Sequence, residues 1–213
     1  MTTTRPVPEG AIIVRKFRAG RHTLKNKENN ISEDGIRLAN AVGRQQIGDM
    51  TITDGFITVL PRTMQTMEAL LTHQPGAMDA LVLHPPTDCM GSDEMFAFMT
   101  KGVKNPDGED YFTIAKRSNG RTAIRELFGE NGYIFFRSLF GRAIERMFTY
   151  MAGDNALGVF HTPAVDMAAE FYGATIEGDL RECSYVDFVQ TADGSIYVTE
   201  VWICDREAVM ANA

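Results

Sequence analysis

The sequence predicts a three-layer α/β/α domain with a mostly parallel central sheet, a helical excursion and a C-terminal β-hairpin. Three observations carry that expectation. Short unbroken apolar runs at residues 10–14, 56–60, 80–83 and 156–160 have the character of parallel strands buried on both faces. Segments with apolar residues at helical spacing separate these runs, as they do where helices cover a sheet. Near the end, residues 185–190 and 195–202 alternate in polarity around Asp193-Gly194, a hairpin signature.

At 213 residues, with 44% hydrophobic and 23% charged side chains, the chain suits one domain over residues 1–213 with a sizeable core. No apolar run approaches the roughly 18 residues a membrane span needs. The opening MTTTRPVPEG lacks the features of a secretory signal, so a cytoplasmic protein is expected. Cys89, Cys183 and Cys204 have no CxxC spacing, which argues against a disulfide framework or a zinc site. A net charge of −7 argues against a general nucleic-acid binder. Neither GxGxxG after a strand nor GxxxxGK[ST] occurs, so no nucleotide cofactor is expected.

Taken in order, residues 1–9 read as an extended lead-in, 10–14 as the first strand and 16–31 as a long loop. Ser32 is an N-cap, with Glu33 and Asp34 in the favourable first turn and Ile36, Ala39, Val42 and Gly43 on one face. Asp54-Gly55 reads as a turn before the second strand. Pro61 fits the first turn of a helix whose core face is Met64, Met67, Leu70 and Leu71. After the third strand, HPPTDCMGSD is loop and Ser92 caps a short helix through Met99. The glycines of 101–132 mark an irregular helical excursion. A stronger helix follows over 133–151, with Phe136, Phe140, Ile144, Met147, Phe148 and Met151 facing the core. The fourth strand ends at His161, and Pro163 begins a helix with Val165, Ala168, Ala169 and Phe171 inward.

One stretch stands out chemically. Residues 15–27 hold Arg15, Lys16, Arg18, Arg21, Lys25, Lys27 and His22 with no acid among them, in an acidic chain. The ends of parallel strands are where open α/β sheets bind ligands. The first strand delivers Arg15 and Lys16, the second Thr58 and Arg62, and the fourth His161 and Thr162, so these groups are expected to converge on an anion. A solvated basic loop, a surface Arg62 and a merely satisfied His161 are the alternative.

The order of these pieces resembles the histidine phosphatase superfamily, the group that includes the cofactor-dependent phosphoglycerate mutases. AIIVRK is similar to that family's strand ending in Arg-His-Gly, and ISEDGIRLANAVG to its Leu-Thr-x-x-Gly helix start. TVLPRTMQTMEAL is similar to its Ser-x-Leu-x-Arg-Ala-x-x-Thr-Ala segment, VFHTPAVDMAAEFYG to its second histidine, and SYVDFVQTADGSIYVTEVW to its final hairpin. The likeness covers about residues 10–203. It implies a phosphorylated first histidine, two arginines and a second histidine on the phosphoryl group, and a carboxylic acid that protonates the leaving group. Arg15 and Arg62 match the arginines and His161 the second histidine, while Lys16 falls at the nucleophile position. A lysine with a reference pKa of about 10.4 is nearly all ammonium at pH 7 and attacks phosphorus poorly. His22 is the substitute nucleophile if the loop folds back. For the acid, Glu94 is preferred over Asp88 and Asp93, against the alternative that 93 and 94 are first-turn helix acids.

The leading expectation is therefore a phosphate or phosphoester pocket of Arg15, Lys16, Arg62 and His161 that has lost phosphohistidine catalysis and serves a binding or regulatory role. An active phosphatase or mutase on a small phosphoester, using a non-standard nucleophile, is the alternative. A ligand-free dimeric scaffold that uses the aromatic helix or the 101–132 excursion as its interface is the third. The expected partner is a small phosphorylated molecule or inorganic phosphate, with no metal, nucleic acid or membrane.

Overall fold

The structure is a computed structural model that describes residues 2–87, 90, 91 and 93–213, the side chains at 93 and 94 excepted. In chain order the elements are β1 (Ile13–Arg21), α1 (Glu33–Val42, extended by a π-helical turn Gly43–Ile47), β2 (Asp54–Ile57), α2 (Pro61–Leu71), a short α3 (Ala77–Ala80), β3 (Val82–Leu83) and α4 (Asp93–Met99). Then come α5 (Tyr111–Arg117), α6 (Gly120–Tyr150), β4 (Asn155–Phe160), α7 (Ala164–Phe171), β5 (Tyr185–Thr191), β6 (Ile196–Trp202) and α8 (Arg206–Ala211).

The six strands form one sheet in the order β3-β2-β4-β1-β5-β6. The four strands β3, β2, β4 and β1 run parallel, and the hairpin β5-β6 adds antiparallel to β1. Two apolar clusters cover its faces. On one, Phe17, Phe56, Phe160 and Phe188 pack against Phe96, Ile114, Phe140, Phe148 and Val165 from α4 to α7. On the other, Ile57, Leu157 and Val159 pack against Leu38, Val42, Met67, Leu70 and Val209 from α1, α2 and α8. The expected three layers and mostly parallel sheet are present.

The first strand is a correction. It begins later and runs to Arg21, so the expected strand end at Val14 and loop from residue 16 do not exist. Phe17 and Ala19 point into one core and are fully buried, with Phe17 edge-on to Phe56, Phe148 and Phe160. The charges between them are neutralised across the ladder. Arg18 lies opposite Asp187 and donates to both carboxylate oxygens from Nε and Nη2, at 2.7 and 2.8 Å. Burial works against the Arg18 charge, but the hydrogen bond and charge of Asp187 outweigh it and raise its pKa. Lys16 Nζ is 2.7 Å from the same carboxylate. A run of charges that reads as loop is thus a central strand because one buried acid on β5 compensates it.

Other departures have equally local causes. Asp54-Gly55 is strand, not turn. The Asp54 carboxylate is fully buried and accepts hydrogen bonds from the Ala152 and Gly153 N–H groups at 2.8 and 2.9 Å and from His84 Nε2 at 2.8 Å. The third strand shortens to two residues because residues 77–80 are helical. The excursion and the aromatic helix merge into α6, broken where Gly129 adopts φ 66°. Ser32 caps α1 as expected, accepting from the Gly35 N–H at 3.0 Å, although Ile36 is exposed and Leu38 takes its place inside. The cap expected at Ser92 lies outside the described residues.

Candidate functional site

The C-terminal ends of β1, β2 and β4 meet at one rim. In the parallel ladder Arg21 lies opposite Phe160, and the His22 N–H extends it to Phe160 O at 3.0 Å. His22 and His161 therefore leave neighbouring strands side by side, their rings 4.9 Å apart. Arg62, in the first turn of α2, reaches between them with its side chain fully buried.

Hydrogen bonding fixes both imidazoles. His22 Nδ1 is 2.7 Å from the Thr23 carbonyl, which can only accept, so Nδ1 carries the proton and Nε2 the lone pair. Arg62 Nε donates to that Nε2 at 3.3 Å. His161 shows the opposite tautomer. Its Nδ1 accepts from Arg62 Nη2 at 3.4 Å, so Nε2 bears the hydrogen and donates to Thr58 Oγ1 at 3.0 Å. Burial first, then the adjacent His22 imidazole and the charges of Arg62, Arg21 and Lys25, push the His161 pKa down to about 2.

The loop after β1 is held firmly. The Thr23 N–H donates to Thr66 Oγ1 at 3.2 Å and the Thr23 hydroxyl to Gly35 O at 3.1 Å, tying the His22 backbone to α2 and α1. Arg21 is gripped by the strap before β5: Nη1 donates to Leu180 O at 2.6 Å and Nη2 pairs with Glu182 Oε1 at 3.0 Å. Its Nε is buried without an acceptor among the described residues. Arg21, His22, Thr23, Leu24, Lys25, His161, Thr162 and Glu182 line a cleft of about 250 Å³.

The expected site residues therefore divide. Arg62, His161, Thr58 and His22 come together. Arg15 and Lys16 do not: Lys16 lies opposite Asn155 at the start of β4, five positions and roughly 16 Å along the strand from Arg21 at ~3.3 Å per residue. Arg15 Nη1 instead caps the last turn of α6 through Phe148 O at 2.7 Å. The positions that face the rim are Arg21 and His22, so Lys16 replaces nothing there. Asp88 and the side chains of Asp93 and Glu94 lie outside the described residues. Sequence reasoning gave Arg21 no task beyond attracting an anion and passed over Glu182. The dipeptide Arg21-His22, preceded by the inward pair Phe17 and Ala19, was the signal for the first, whereas nothing in the sequence linked Glu182 to Arg21. Among the described residues no group of acids, histidines and cysteines could hold a metal ion.

No protein-family model and no curated protein sequence matches the chain. Solved structures do. The α-ribazole phosphatase of Shigella flexneri superposes with a TM-score of 0.55 at 13% identity, over 89% of this chain and 96% of that one. The phosphoserine phosphatase of Entamoeba histolytica, in complex with 3-phosphoglyceric acid, gives 0.53 at 13% identity over 90% and 98%. The protein histidine phosphatase SixA, complexed with tungstate, gives 0.51 at 11% identity over 88% and 96%. The fold is that of the histidine phosphatases. At these identities the likeness establishes a histidine phosphatase fold and leaves the chemistry to the rim residues.

Proposed function

We propose that the chain is an active histidine-phosphatase-type hydrolase or mutase of small phosphomonoesters, with His22 as nucleophile. The observation that carries this reading is the His22 imidazole: Nδ1–H is fixed on a carbonyl and the Nε2 lone pair is turned toward the Arg62 guanidinium, beside a neutral His161. A degenerate pocket was expected on the ground that Lys16 stood at the nucleophile position. With Lys16 at the other end of the sheet, that ground is gone.

In the proposed reaction the phosphoryl group sits between Arg62, Arg21 and His161. Charge-assisted hydrogen bonds there offset its negative charge, and Arg21 Nε gains an acceptor. His22 Nε2 attacks phosphorus, the bond from phosphorus to the ester oxygen breaks, and an acid from the segment after β3, with Glu94 the candidate, protonates the leaving alkoxide. Water then gives its proton to that carboxylate and attacks the phosphohistidine, the P–N bond breaks, and phosphate leaves with His22 and the acid restored. A mutase would return the phosphoryl group to a bound alcohol instead.

Turnover of a general phosphoester, with trapping of an acid-labile phosphohistidine in a rapid quench, tests the reading. His22→Ala is expected to lower kcat/KM about 10³-fold or more. Lys16→Ala is expected to leave it within about twofold, because Lys16 is partly exposed and pairs with Asp187 far from the rim. Wild-type protein without turnover, or equal activity in the His22 variant, would overturn the proposal.

A further inference from the structure

Among the described residues that line the cleft Glu182 is the one acid, and its placement is built rather than incidental. The strap 180–184 wraps the end of β1. Leu180 O holds Arg21 Nη1, the Cys183 N–H donates to Arg21 O at 3.2 Å, and the Arg21 N–H donates to Ser184 O at 2.9 Å. Cys183 adopts φ 61°, a left-handed conformation uncommon for a residue with a side chain, immediately after Glu182. Glu182 Oε1 is fixed by Arg21 Nη2, while its other oxygen has no partner among the described residues and the side chain keeps 33% of its exposure. Beyond holding Arg21, a carboxylate at the mouth of a pocket works against a phosphate, since like charges repel. A fixed carboxylate does suit a ligand that also carries a cation.

Resting on the proposed hydrolase, we infer that Glu182 sets its specificity, selecting phosphomonoesters whose leaving group bears a cationic nitrogen close to the ester oxygen, the aminoalkyl phosphates. The phosphoryl group occupies the histidines and Arg62, and the leaving group runs across the rim, where its ammonium meets the open oxygen of Glu182. The same carboxylate discriminates against leaving groups with a second acid. Lys25, with Arg21 the second basic side chain among the described lining residues, has an interaction of its own.

Phosphoethanolamine, ethyl phosphate and phosphoglycolate, assayed with wild type and Glu182→Gln, test this. The glutamine keeps an oxygen for Arg21 and removes only the charge. Wild type is expected to favour phosphoethanolamine over ethyl phosphate by about tenfold in kcat/KM and to rank phosphoglycolate last. Glu182→Gln is expected to bring the first two within about twofold. Equal losses on all three substrates would mean that Glu182 only positions Arg21, and a wild-type preference for phosphoglycolate would mean that Lys25 governs the rim; either result overturns the inference. If nothing is turned over, the hydrolase reading fails by itself. The charge preference is then read from the thermal midpoint, which phosphoethanolamine should raise more than ethyl phosphate in wild type but not in Glu182→Gln, and equal shifts in wild type would overturn it.

Discussion

At His161 deep burial and a ring of positive charge act in the same direction, and the imidazole stays neutral well below its ordinary range. The unfolded chain takes up a proton near pH 6.5 while the folded one does not, so this residue withdraws stability as pH falls from about 6.5 toward 2. A bound oxyanion reverses the electrostatics, because it places negative charge beside the ring. Tungstate is therefore expected to raise the His161 pKa. Titration of the imidazole by NMR should show a neutral ring at pH 5 in the free protein and marked protonation in the tungstate complex. An unchanged titration would show that the anion does not sit between Arg62 and His161. The residue-level reading also explains why Lys16 misleads: a basic side chain beside Arg15 looks like a ligand in the sequence, yet its partner is the buried Asp187.

Among the elements, β1 and the helices that clamp its end decide where His22 points. Gly35 in α1 approaches the loop after β1 so closely that a Cβ there would lie 2.4 Å from Leu24 O, a backbone atom that cannot step aside alone. Gly43 makes a similar approach to α2, at 1.9 Å from Leu70 O, but away from the rim. Both Gly→Ala changes are expected to destabilise by roughly 1–3 kcal/mol or more through overpacking, measured by urea denaturation. They should differ in activity. Gly35→Ala displaces the Leu24 and Thr23 backbone that orients His22 Nδ1 and is expected to cost at least about tenfold in kcat, whereas Gly43→Ala at a temperature where it is folded should keep near-normal kcat. Equal kcat in the two variants would remove the role assigned to the α1 contact.

Across the whole molecule a buried carboxylate joins the site to the helical layer. Asp166 on α7 is fully buried and accepts the Leu180 N–H at 2.7 Å, steadying the strap whose Leu180 O and Glu182 grip Arg21. Burial first and the Asp179 carboxylate second push its pKa up to about 7, against the Leu180 hydrogen bond and the Arg121 charge. Here the folded chain keeps a proton that the unfolded chain releases near pH 4. The group therefore favours folding at low pH and loses that contribution as pH rises to about 7, by up to ~1.4 kcal/mol per pH unit. Its slope opposes that of His161 between about pH 4 and 6.5. Asp166→Asn keeps the oxygen for Leu180 and removes the titration, so its stability should rise with pH more steeply over that window than the wild type. Parallel stability profiles for the two proteins would rule out this linkage. No helix among the described residues is long and apolar enough to cross a membrane.

The sequence by itself determined the layers, the buried strand at 156–160 that delivers His161, the helix start that delivers Arg62 and the closing hairpin. Those features rest on local signals: apolar runs, the Pro61 helix start, the Asp193-Gly194 turn. Only the tertiary structure decided where β1 ends. Whether Arg15-Lys16 or Arg21-His22 stands at the rim depends on whether Arg18 and Lys16 can lie in a central strand, and that depends on Asp187, some 170 residues away on a neighbouring strand. A charge is read from the sequence as exposed until its distant partner is known. The same holds for Glu182, which joins the cleft solely because the strap folds back over the end of β1.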